Sequence, residues 1–145
     1  MRILIDTNIL IDFVSRREPF FVDALKIFEL CQQEIVDGAV AAHSIVNMAY
    51  ILRKDFTPDE LRKILLRLCK IFQVEAIDLG KLTAALNDDN FSDFEDCLQT
   101  QCALNLQADF IVTRNVKDFA ASSIPAVTPE NFFKILEERG CLPTD

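Results

Sequence analysis

Two rhythms of apolar residues alternate along this chain. Short continuous runs, partly β-branched, are separated by longer stretches whose apolar positions return every three or four residues. The first run, Arg2 to Ile5, is apolar on both faces, as in a strand of a covered parallel sheet, and it stops on Asp6. Further strands are predicted over 35–42, 74–79 and 110–113, with a short one at Ala126 and Val127. Helical spacing covers 8–17, where Pro19 interrupts it. It resumes over 20–34, with Phe21, Ala24, Leu25, Phe28 and Cys31 on one face. Ser44 reads as the cap of a helix running to about Lys54, and Thr57-Pro58-Asp59-Glu60 opens another that ends near Lys70. Helices near 81–87, over 92–106 and over 129–139 complete the pattern.

Strands alternating with helices predict a parallel sheet covered on both faces. No linker or repeat interrupts the pattern, so one domain is expected over 1–145. In such a sheet the strands' carboxyl edge is where ligands bind. Asp6 follows the first strand, and the Ser44 helix follows the second. The 92–106 helix leads into the fourth strand and therefore starts at that same edge. Asn115 and Asp118 come after the fourth strand. Asp6, Asn47, Asp93 or Asp96, and Asn115 or Asp118 thus converge, provided that strands one and four are neighbours. The pattern leaves that condition open.

Composition narrows the classes. The 145 residues are half apolar, with twelve Phe and no Trp, enough for a core without disulfides. Five scattered cysteines (Cys31, Cys69, Cys97, Cys102, Cys141) form no zinc or disulfide pattern and read as reduced core residues of a cytoplasmic protein. The short first apolar stretch carries Asp6 and Asp12, which argues against a signal peptide, and no run is long enough to span a membrane. A net charge of −8 argues against nucleic-acid binding by bulk electrostatics, so any such chemistry needs cations or a local basic rim.

Three motifs in order resemble the PIN domain family: Asp6-Thr7-Asn8-Ile9-Leu10, Asp93-Phe94-Glu95-Asp96, and Ile111-Val112-Thr113-Arg114-Asn115-Val116-Lys117-Asp118-Phe119. The segments Ala42-His43-Ser44-Ile45-Val46-Asn47 and Ile51-Leu52-Arg53-Lys54 are similar to a bacterial branch of it. The resemblance implies a three-layer α/β/α sandwich around a parallel sheet of four to five strands, and a Mg²⁺- or Mn²⁺-dependent ribonuclease. It also implies a small toxin, often a homodimer, neutralised by an antitoxin. Asp6 matches the family's first metal-binding acid and Asp96 the acid before strand four, with Asp93 one turn earlier. Asp118 keeps one of two acidic positions after that strand, and Asn115 stands at the other. The chain departs from many active members at Asn47, where they carry a Glu.

Carboxylates suit this chemistry because Mg²⁺ prefers hard oxygen ligands and retains several waters. Asp6, Asp96 and Asp118 are the expected metal-binding and catalytic acids, with Asp93 as helper and Asn47 orienting a water. Thr7, Thr113, Arg114 and Asn115 are the expected substrate contacts. Each has a bland alternative. Asp6 suits a helix N-cap, Asp93 and Asp96 a first helical turn, and Asn47 a capping box with Ser44. Asp118 suits a surface turn, and His43 a structural role.

Two other functions compete with the nuclease. One is a weakened PIN fold serving as a binding or regulatory module, which Asn47 favours. The other is a phosphoryl-transfer domain, for which Asp6-Thr7-Asn8 lacks the second acid. Phe13, Phe20, Phe21 and Phe28 belong either to the core or to a partner surface.

Overall fold

The computed structural model describes residues 1–142. In chain order the elements are β1 (Arg2–Ile5), α1 (Thr7–Val14), α2 (Phe21–Gln32), β2 (Asp37–Ala41) and α3 (Ala42–Ile51). Then come α4 (Pro58–Ile71), β3 (Gln73–Glu75), α5 (Leu79–Leu86), α6 (Phe94–Leu106), β4 (Phe110–Val112), β5 (Ala126–Val127) and α7 (Pro129–Glu138). All strand pairs are parallel, in the order β3-β2-β1-β4-β5. β1 and β4 are therefore neighbours, with Leu4 opposite Ile111 and Ile5 opposite Val112. That meets the condition for the acids to converge.

Side chains alternate through the sheet and build two cores. Ile3, Ile5, Val40 and Val112 face α1, α2, α3, α4 and α7. Leu4, Ala39, Ala41 and Ile111 face the other way, onto Cys102, Ala103 and Leu106 of α6. The result is the expected three-layer α/β/α sandwich. Because β1 lies at the centre and is covered twice, its three apolar residues are fully buried. Among the described residues no helix is long and apolar enough to cross a membrane.

Local chemistry sets most boundaries. Thr57 and Glu60 form a capping box with Pro58 in the first turn, so α4 starts where expected. The third strand is shorter than expected, because Asp78 caps α5 by accepting from the Lys81 N–H at 2.9 Å. β2 runs into α3 without a loop, so Ala41 occupies the cap position and Ser44 lies inside the first turn, buried. This overturns Ser44 as a cap and Asn47 as its capping-box partner. Cys69 and Cys141 are exposed, unlike the buried Cys31, Cys97 and Cys102, so the core reading holds for three of the five. Phe28 is core, stacked on Phe13, whereas Phe20 stays exposed.

Candidate active site

Asp6 owes its position to the sheet. Its N–H donates to the Val112 carbonyl at 3.0 Å, extending the β1–β4 ladder to the carboxyl edge. Asp6 occupies the N-cap position of α1, yet its side chain makes no capping bond. Instead Oδ1 accepts from Gln99 Nε2 and Oδ2 from Thr113 Oγ1, both at 2.7 Å. The capping alternative therefore fails for this side chain. Burial raises the Asp6 pKa, and the bonds from Gln99, Thr113 and the Thr7 backbone offset part of that.

Asp93 and Asp96 arrive on α6. Asp93 is its N-cap and accepts from the Asp96 N–H at 3.0 Å, so Asp93 stands just before the first turn expected for it, and Asp96 lies within that turn. The Asp96 carboxyl is half-buried. Burial comes first, then the charges of Asp93, Asp6, Asp118 and Glu95, and together they push it up to about 7. Asp118 stands exposed in the 3₁₀ turn Val116–Phe119, close enough to act electrostatically on both Asp6 and Asp96. The structure thus brings all four expected acids to one edge.

Asn47 is half-buried on α3, and its side chain lies near that of Glu95. Glu95 itself was given no role by sequence reasoning. Its pKa is raised, first by burial and then by Asp6 and Asp93, while Asn47 and Thr7 pull it back. His43 approaches the same carboxylate at 3.9 Å, beyond hydrogen-bond range, and neither of its ring nitrogens has a partner. Burial lowers the His43 pKa, which favours the neutral ring.

The expected substrate contacts are tied into the frame. Thr7 is buried and donates its hydroxyl to Ser44 Oγ at 2.7 Å, joining α1 to α3. Thr113 is fully buried, donates to Asp6, and accepts from the Asn115 N–H at 3.0 Å. Asn115 is itself exposed. Arg114 donates Nε and Nη2 to the two oxygens of the fully buried Asp12 at 2.6 and 3.2 Å, and lies 4.0 Å over the Phe20 ring.

Sequence reasoning missed three residues: Gln99, Glu95 and Asp12. Helical spacing held a signal for the first two, since Gln99 follows Asp96 by three positions and Glu95 by four on α6. Asp12 carried no such signal, because its partner lies 102 positions away.

Among the described residues, no three Asp, Glu, His or Cys side chains are close enough to enclose an ion unaided. The donor set still fits a divalent cation. It consists of hard oxygens whose charges oppose one another, and the buried Gln99 Oε1 beside it has no partner. A cation that keeps its own waters needs few protein ligands and supplies donors to such an oxygen.

A doubly covered parallel sheet with carboxylates crowded at the ends of β1, α6 and β4 defines a class of α/β proteins with an acidic edge site. The chain belongs to the PIN domain family, whose model matches residues 2–117. Members of that family are in general nucleases. Similar solved structures include a chain of a toxin–antitoxin complex from Klebsiella pneumoniae, at 27% identity and TM-score 0.63, covering 87% of this chain and 96% of that one. VapBC2 from Rickettsia felis, bound to a promoter DNA fragment, matches at 16% identity and TM-score 0.64, covering 88% and 98%. FitAB bound to a DNA fragment matches at 15% and 0.63, covering 88% and 94%. No curated protein sequence matches this chain.

Proposed function

We propose that this protein is a divalent-metal-dependent endoribonuclease, one domain over residues 1–145, that acts in the cytoplasm as the toxin of a toxin–antitoxin pair. One observation carries the reading. The charges of four other carboxylates act on that of Asp96, at an edge where Asp6 is held by both its oxygens. Clustered acids of this kind are costly alone and become favourable with a dication between them.

A phosphodiester resists attack because its anionic oxygens repel nucleophiles and its leaving oxygen needs its charge neutralised. Mg²⁺ or Mn²⁺, when bound, neutralises that charge and makes water a better nucleophile. Asp6 and Asp96 are the residues to hold the ion, with Asp118 direct or through water and Asp93 beside them. Gln99 and Thr113 keep the Asp6 carboxylate from swinging, so its geometry is set before the substrate arrives. Asn47 orients polar neighbours from α3. Asp12 fixes Arg114 at the rim and leaves its Nη1 to donate to an RNA phosphate, with Asn115 next to it. Thr7 and Thr113 act on the substrate through this frame.

The partner reading draws on the Klebsiella chain, which comes from a toxin–antitoxin complex. An antitoxin protein and a homodimeric state follow as proposals. Asn47, uncharged beside Glu95, favours a second reading in which the fold binds without cutting.

Purified protein incubated with structured and single-stranded RNAs in Mn²⁺, Mg²⁺ or EDTA separates the two. Cleavage in metal and none in EDTA supports the nuclease. Retention of RNA without cleavage in any metal supports the binding module.

A further inference from the structure

Glu95 stands in the first turn of α6 beside Asp96. A Glu at such a position is free to extend into water. Here it turns back in part: its side chain is 43% exposed, near Asn47 of α3 and Thr7 of α1. It lies near the carboxylates of Asp6 and Asp93. Among the described residues, the only basic side chain paired with it is His43, at 3.9 Å and without a hydrogen bond. An acid drawn toward other acids without a cationic partner loses energy unless a cation joins them.

We propose that Glu95 is a further carboxylate of the metal centre, standing where α3 presents the amide of Asn47. The inference rests on the metal-dependent reading above and adds to it a residue and a division of roles. Asn47, with its donor NH₂, positions the Glu95 carboxylate rather than ligating in its stead. A second, separate feature points to a hydrated ion at this place. Gln99 is 1% exposed, its Nε2 is taken by Asp6, and its Oε1 has no partner. A buried acceptor of that kind needs a donor, and water on a cation beside Asp6 supplies one.

The arrangement makes a prediction peculiar to it. If Glu95 and Asn47 share one place, a carboxylate returned from α3 should replace the one lost from α6. The test is calorimetric Mn²⁺ titration of the full chain as wild type, Glu95→Gln, Glu95→Gln with Asn47→Glu, and Glu138→Gln. The last removes one exposed charge from α7 and controls for net charge. Glu95→Gln should weaken Mn²⁺ binding roughly tenfold or more, the double variant should recover most of that, and Glu138→Gln should change little.

Glu95→Gln is isosteric and relieves repulsion, so its melting temperature should not fall, which circular dichroism checks. Glu95→Asp keeps the charge but shortens its reach and should bind with intermediate affinity. Glu95→Gln binding Mn²⁺ as tightly as a binding-competent wild type overturns this inference and leaves the nuclease reading intact. A wild type that binds no Mn²⁺ overturns both.

Discussion

The hydroxyl of Thr113 donates to Oδ2 of Asp6 at 2.7 Å, joining the end of β4 to the end of β1 across 107 positions of sequence. The same hydroxyl accepts from the Asn115 N–H, so one buried atom sets both the acid and the turn that carries Asp118. The geometry of this site is therefore a property of the β1–β4 ladder.

Thr113→Val keeps the shape and removes both bonds. A buried carboxylate oxygen and a backbone N–H lose their partners, which should cost about 1–3 kcal/mol of stability at neutral pH. Urea denaturation reads this directly, and an unchanged midpoint would show that the two bonds contribute nothing net.

Arg114→Met should cost more. It leaves Asp12, fully buried, without a counter-charge, and breaking such a pair typically costs ~3–5 kcal/mol. Replacing both partners, as Asp12→Leu with Arg114→Met, should recover most of the loss. Chemical denaturation of the two single variants and the double variant forms the cycle.

The crowding at Asp96 gives stability a pH signature. Its pKa rises from 3.8 to about 7 on folding. Between those values the folded chain holds a proton that the unfolded chain has lost. Stability from this group is therefore highest at low pH, declines as pH rises through the window, and is fully lost above about 7. Melting of the metal-free protein from pH 5 to 8 should show that decline, and Asp96→Asn should flatten it. Mn²⁺ should restore stability above pH 7, where all the acids are ionised.

Much of this site was legible because strand direction alone places residues. Asp6, Asp96 and Asp118 each lie next to a strand end or at the start of a helix entering one, and a parallel sheet sends all such points to one edge. What a pattern of apolar residues does not reveal is which way a helix is turned about its axis. That rotation decides that Gln99 and Glu95 face Asp6 and that Ser44 is buried rather than capping. Nor does local sequence reveal a partner such as Arg114 for Asp12, since only the closed sheet brings them together. By position alone, Arg114 and Thr113 read as substrate contacts. Their burial and bonds give them a structural task first.

Gly38 illustrates a constraint outside the site. A Cβ there would lie 2.6 Å from the Cys31 sulfur and 3.0 Å from the Phe72 ring. β2 thus passes directly beneath α2, with room for hydrogen only. Gly38→Ala should destabilise by about 1–3 kcal/mol through overpacking. Recovery in Gly38→Ala with Cys31→Ala, measured by denaturation, would assign the clash to the sulfur.

The most direct test of the nuclease account is the rate of RNA cleavage in Mn²⁺ by wild type, Asp6→Asn and Asp96→Asn at pH 8, with EDTA as the blank. The account predicts cleavage by wild type that EDTA abolishes, and a loss of about a hundredfold or more in each variant. Cleavage that survives EDTA, or that both variants retain at the wild-type rate, would contradict it.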